Sequence, residues 1–188
     1  MPSSREVIAA LYGAWRLARL DAGGMRWFDI SIGGFWRSFF AAALAAPGYA
    51  YLVTLDLDEE AWSADPLWMV LVEGVTYLLA WAALPVLAIF LTRLFALTDR
   101  YIGFIIAYNW AAVLQTALFV AATVLTATGL VPAGLGAVLI LAATVLIILY
   151  QWFIARTALE TTAFIAAGFV ATDIVAALAI DAAAEALL

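Results

Sequence analysis

The chain has 188 residues, 68% of them hydrophobic and only 12% charged, with a net charge of −6 and a mean hydropathy of +1.10. A soluble domain is about half apolar and about a quarter charged, so this composition excludes an ordinary soluble fold and calls for lipid to solvate the excess. The absence of cysteine and histidine removes thiolate chemistry, disulfides, the commonest general base and the commonest transition-metal ligand.

Met1–Leu20 does not read as a signal peptide, because Arg5, Glu6, Arg16 and Arg19 interrupt any long apolar core. Ser3 or Ser4 suits a helix cap and Glu6 the first turn. At the helical period, Val7, Ile8, Leu11, Trp15 and Ala18 share one arc, with Arg5, Arg16 and Arg19 beside it. That pattern predicts an amphipathic helix in the lipid interface, with its guanidiniums at lipid phosphates. Packing on the cytoplasmic end of the helix bundle, or on a partner, is the alternative. Asp21–Gly34 follows as a glycine-rich connector whose two Gly-Gly pairs are expected to break helices. Trp27, Trp36, Phe39 and Phe40 read as an interfacial aromatic belt.

The continuous apolar runs predict helices rather than barrel strands, which alternate. The first span is expected at 35–55, led by Arg37, which snorkels to the interface, and kinked at Pro47. Its alanine run 41–46 offers a close-packing surface. Asp56–Asp65 contains five acids and no base. It reads as a solvated connector; a divalent-cation site is the alternative, although the spacing matches no calcium loop. The second span, 67–96, holds nineteen uncharged residues from Gly74 to Thr92, enough to cross a bilayer. Trp68 marks its outer end, Arg93 its inner end and Pro85 its middle, and it reads as the helix that organises the rest. Tyr101–Ala155 is uncharged throughout. That is too long for one span, and the Gly/Pro cluster 129–136 divides it into spans 101–127 and 135–155. A fifth span at 159–180 carries the small residues Ala166, Ala167, Gly168 and Ala171. Span four reads as lipid-facing. Tyr108, Trp110, Tyr150, Trp152 and Phe153 read as belt aromatics, and Asn109 and Gln151 as structural hydrogen-bonding groups.

These readings give an all-α polytopic membrane protein: five transmembrane helices in a single domain over 35–188, preceded by an N-terminal amphipathic interfacial helix and connector over 1–34. All eight basic residues are arginines, and a five-span count places every one of them on the side of the N-terminus. The positive-inside rule then puts the N-terminus in the cytoplasm and the C-terminus outside. The absence of lysine and the Ala/Leu/Gly/Arg bias suggest a high-GC bacterial genome, hence the bacterial inner membrane with a periplasmic C-terminus.

Ionisable groups inside a span are costly and tend to be functional. Glu73 in span two, Gln115 in span three and Asp173 in span five come to a similar depth in the outer half of the bundle, and they are expected to meet as an intramembrane polar cluster. It would serve as a cation or proton site, or else as hydrogen bonds that fix helix order. Nucleotide-binding loops, zinc-protease and serine-hydrolase motifs are absent. No enzyme activity, cofactor, metal site or nucleic-acid partner is expected.

The stretch GGFWRSFFAAALAAPGYAYLV, an arginine-led first span containing Pro47, and the closely spaced later spans resemble the Yip1-like family of small five-span membrane proteins. The resemblance lies in topology over Phe35–Leu188, and no functional residue is carried over from it. It implies a membrane-organising or trafficking-related protein without a reaction of its own. The lead expectation is therefore a non-enzymatic inner-membrane protein whose partners are the lipid bilayer and a membrane-protein partner or a second copy of itself. A small transporter or channel component using Asp173 and Glu73 is the alternative.

Overall fold

The computed structural model describes residues 1–56 and 65–188, without the side chains of Asp56 and Ala133. Most of the acidic loop, and with it the divalent-cation reading, lies outside the described residues. Seven α-helices account for most of the described chain: α1 (Ser4–Ala18), α2 (Ile32–Ser38), α3 (Phe40–Asp56), α4 (Pro66–Leu94), α5 (Tyr101–Ala127), α6 (Ala133–Ala158) and α7 (Ala163–Glu185). Among the described residues there is no strand. Among the described residues five stretches are long and apolar enough to cross a membrane: Ile32–Leu55, Pro66–Leu94, Thr98–Ala127, Gly134–Ala158 and Ala163–Glu185. The first is α2 and α3 together, broken only at Phe39.

Local chemistry sets the helix ends. The side chains of Ser3, Ser31, Asp65 and Thr162 accept hydrogen bonds from the backbone N–H groups of Glu6, Gly34, Trp68 and Ile165, which closes the first turns of α1, α2, α4 and α7. Leu20, Ala96, Gly129 and Glu160 take positive φ just beyond the ends of α1, α4, α5 and α6, the left-handed conformation that reverses a chain after a helix. The fifth span starts at Ala163 rather than 159 and runs through the alanine-rich tail to Glu185. Gly33 and Gly34 lie inside the first turn of α2 rather than breaking a helix. The backbone carbonyl of Asp29 comes so close to Gly34 that a Cβ there would sit 1.8 Å from it.

The hub of the bundle is α5, not the second span. It packs against α1, α2, α3 and α6, and Phe104 meets Phe169 of α7 edge-on at 5.4 Å. Small and flat residues explain this: Gly103, Ala107 and Ala111 let neighbours approach, and Phe104, Ile105 and Ile106 fill the space between them. Trp110 is 2% exposed and Tyr150 7%, so both are core rather than belt residues. By contrast, α4 packs mainly on α7. Tyrosines rather than backbone contact bridge α3 and α4: Tyr77 donates to the Ala42 carbonyl at 2.6 Å and Tyr49 to Glu73 at 2.7 Å.

Candidate functional site: a carboxylate shared by three helices and the N-terminal helix

Two features stand out, one inside the bundle and one at its arginine-bearing end. The inner feature centres on Asp173, about 15 Å along α7 from Ala163 at the helical rise. Tyr108 of α5 donates its phenol proton to Asp173 Oδ2. Gln151 of α6 donates to the same oxygen at 3.2 Å and to the Tyr108 hydroxyl at 3.1 Å. Three helices thus converge on one half-buried carboxylate, a group that the inside of a helix bundle tolerates best when hydrogen-bonded.

The expected trio does not assemble. Glu73 takes the phenol proton of Tyr49, not a bond from Asp173, and Gln115 is 9% exposed with its Nε2 unpartnered among the described residues. Helix placement is the reason. With α7 ending at Glu185, Asp173 lies about 18 Å from its C-terminal end, near mid-helix, whereas Glu73 is only about 10 Å into α4. Tyr108 and Gln151 escaped the sequence reading as site residues because a tyrosine looks like a belt residue. One signal was available. Each lies seven residues from the arginine-side end of its helix, Tyr101 and Ala158, so the two share one depth.

The second feature is α1. Its buried face is Ala10, Gly13, Ala14 and Leu17, about a third of a turn away from the predicted apolar arc. This face packs on α5 and α6, and Tyr150 donates to the Ala14 carbonyl at 2.7 Å. Gly13 is needed there, since a Cβ would come within 2.9 Å of the Gly24 carbonyl. On the arc itself Ile8 is 68% and Trp15 53% exposed. Val7 and Leu11 of the arc pack partly on the core, so packing on the bundle leaves only the Ile8 and Trp15 side of it uncovered.

The predicted interface residues divide accordingly. Trp15, Trp27 and Trp36 are exposed, as are Arg5 and Arg19. Arg16 is tied to Asp21 through its Nε at 2.6 Å and does not point freely at lipid. Arg37 does not snorkel alone either: its Nε bonds Glu6 at 2.7 Å and a terminal nitrogen bonds Asp29 at 2.5 Å, tying α1, the connector and α2 together. Arg100 and Glu160 pair at 2.6 Å between the two turns on the same end.

The Arg16 guanidinium, then the Gly23 N–H, hold the Asp21 carboxyl below the usual carboxylate range. A depressed acid contributes its stability above the ordinary carboxyl pKa of about 3.9 and loses it as pH falls through the depressed value. Hydrogen-exchange protection of the Gly23 amide is therefore expected to stay constant from pH 8 to pH 4 and to decline only in stronger acid. A decline centred above about pH 4 would contradict this coupling.

No known protein family, no curated protein and no solved structure matches the chain.

Proposed function

We propose that this is a non-enzymatic integral protein of the bacterial inner membrane, N-terminus cytoplasmic and C-terminus periplasmic, which organises the membrane or serves as a subunit or assembly partner of a membrane complex. Its topological parallel is the Yip1-like family. The observation that carries the reading is the division of faces on α1. One face, of small residues, seats the helix on the bundle; the next leaves Ile8, Tyr12 and Trp15 exposed beside Arg19. Such a helix reads the cytoplasmic lipid face while rigidly attached to the spans.

The test uses the natural lack of cysteine. A polarity-sensitive dye on Ile8→Cys is expected to shift to the blue in vesicles, and the same dye on Asp99→Cys is expected to stay in a water-like state. Ser3→Cys and Leu187→Cys should react with an impermeant thiol reagent from opposite sides of the membrane. Water-like emission at Ile8→Cys would end the interfacial reading, and same-side labelling would end the five-span topology.

A second reading, a small transporter or channel component, is favoured by the three-helix convergence on Asp173. Cation or proton flux into proteoliposomes that is unchanged in Asp173→Asn would eliminate it.

A further inference from the structure

On the uncovered side of α1, Tyr12, Trp15, Arg16, Arg19 and Asp21 line a cleft of about 410 Å³. We propose that this cleft selects an anionic phospholipid, whose phosphodiester head is held by Arg19 and Arg16 with Tyr12 and Trp15 beside its glycerol. Such selection deepens the interfacial reading of α1 and rests on it.

The ion pairs of the arginine-bearing end leave a place for an anion. Asp21 is taken by Arg16, Glu6 and Asp29 by Arg37, and Glu160 by Arg100. Arg19 and Arg26 are exposed and have no carboxylate partner among the described residues. The connector gathers these charges instead of spreading them. Terminal nitrogens of Arg16 and Arg26 lie 2.8 and 3.1 Å from the point where a Cβ on Gly23 would stand, and Asp21 Oδ1 lies 2.9 Å from it. Two guanidiniums therefore share one carboxylate there, with Arg19 on the same cleft as Arg16, and the cluster keeps a net positive charge. Arg16 gives Asp21 its Nε and one terminal nitrogen. Its other terminal nitrogen has no acceptor among the described residues and is open to a phosphate oxygen.

The remainder of the lining suits a lipid better than a free anion. Ile8, Tyr12, Trp15 and Arg19 follow one another at helical spacing on one side of α1, and the first three are exposed. Trp27 braces Tyr12 edge-on, with ring centroids 4.6 Å apart. An apolar and aromatic strip thus adjoins the guanidiniums, so a ligand gains by carrying acyl chains next to its phosphate. A zwitterionic lipid brings its own ammonium beside the phosphate, and that charge would meet the arginine cluster. Asp21 is the one acid on the lining, and it opposes an anion.

The test is native mass spectrometry of the full chain in non-ionic detergent, titrated with dioleoyl phosphatidylglycerol, with dioleoyl phosphatidylcholine or with glycerol phosphate. Phosphatidylglycerol is expected to bind about tenfold more tightly than phosphatidylcholine, and glycerol phosphate is expected not to displace it. Arg19→Gln removes an exposed charge and should weaken phosphatidylglycerol binding about tenfold. Arg93→Gln, an exposed arginine outside the cleft, should leave it unchanged. Asp21→Asn should tighten it about threefold, whereas a purely structural Asp21 would make the same change weaken it. Equal affinity for the two lipids, displacement by equimolar glycerol phosphate, unchanged binding in Arg19→Gln, or loss of binding in Asp21→Asn each overturns the proposal. The Ile8→Cys dye separates the two levels of failure. A blue shift alike in vesicles of either lipid, with equal affinities, keeps α1 in the interface and removes its selectivity; water-like emission removes both.

Discussion

Replacing Gly34 with alanine is expected to lower the stability of the full chain in detergent by about 3 kcal/mol, at the upper end for overpacking. The new Cβ would sit 1.8 Å from the Asp29 carbonyl oxygen and 2.9 Å from its carbon. That neighbour is backbone and cannot rotate away. Asp29 is also held through its side chain by Arg37, which in turn holds Glu6 of α1, so relief of the clash has to move the connector or the start of the first span. Gly74→Ala and Gly168→Ala are the controls. Nothing lies within 4 Å of a Cβ at either position, and alanine in a helix interior is favoured over glycine by about 0.5–1 kcal/mol. Thermal unfolding followed by circular dichroism separates the cases. If Gly34→Ala melts with the unmodified protein, the approach of Asp29 does not constrain the fold.

Tyr108→Phe is expected to cost about 2 kcal/mol, well above the roughly 0.6 kcal/mol of an average interhelical hydrogen bond in a membrane. The larger figure applies because the phenol is one of two donors to a half-buried carboxylate, and bonds to charged groups contribute about 1.5–3 kcal/mol. Its loss leaves Asp173 with Gln151 alone. Asp173→Leu removes the charge together with the need to satisfy it, and Gln151 and Tyr108, already 3.1 Å apart, retain each other. The double variant Tyr108→Phe/Asp173→Leu is therefore expected to be more stable than the sum of the single losses by about 1 kcal/mol or more. Strict additivity with small single effects would mark these groups as ordinary interhelical contacts.

The five apolar helices were legible because bilayer thickness and the cost of buried charge impose a simple rule on composition, and Gly, Pro and capping residues mark the turns. The face by which α1 docks was not. Ala10, Gly13 and Ala14 carry little hydrophobic signal, and they are chosen for small volume, whereas Ile8 and Trp15 dominate the periodicity and stay outside. The partners of Asp173 were hidden for a related reason. Depth depends on where each helix begins, and starting the fifth span at 159 instead of at the Thr162 cap raised Asp173 by about 6 Å. Helix phase then decides which neighbour a side chain meets, and composition does not encode it. The primacy of α5 was equally obscure, since small residues that admit neighbours look unremarkable beside a proline-containing helix with a placed acid.

The Arg37 knot bears on the order in which the protein is made. Glu6, Asp29 and Arg37, together with the Ser31 cap on α2, all lie within the first forty residues. Every partner of the knot has therefore been synthesised before the second span exists. A nascent chain can fix this end before Pro66–Leu94 and the helices after it have been made, and those helices then assemble onto an end that is already tied together.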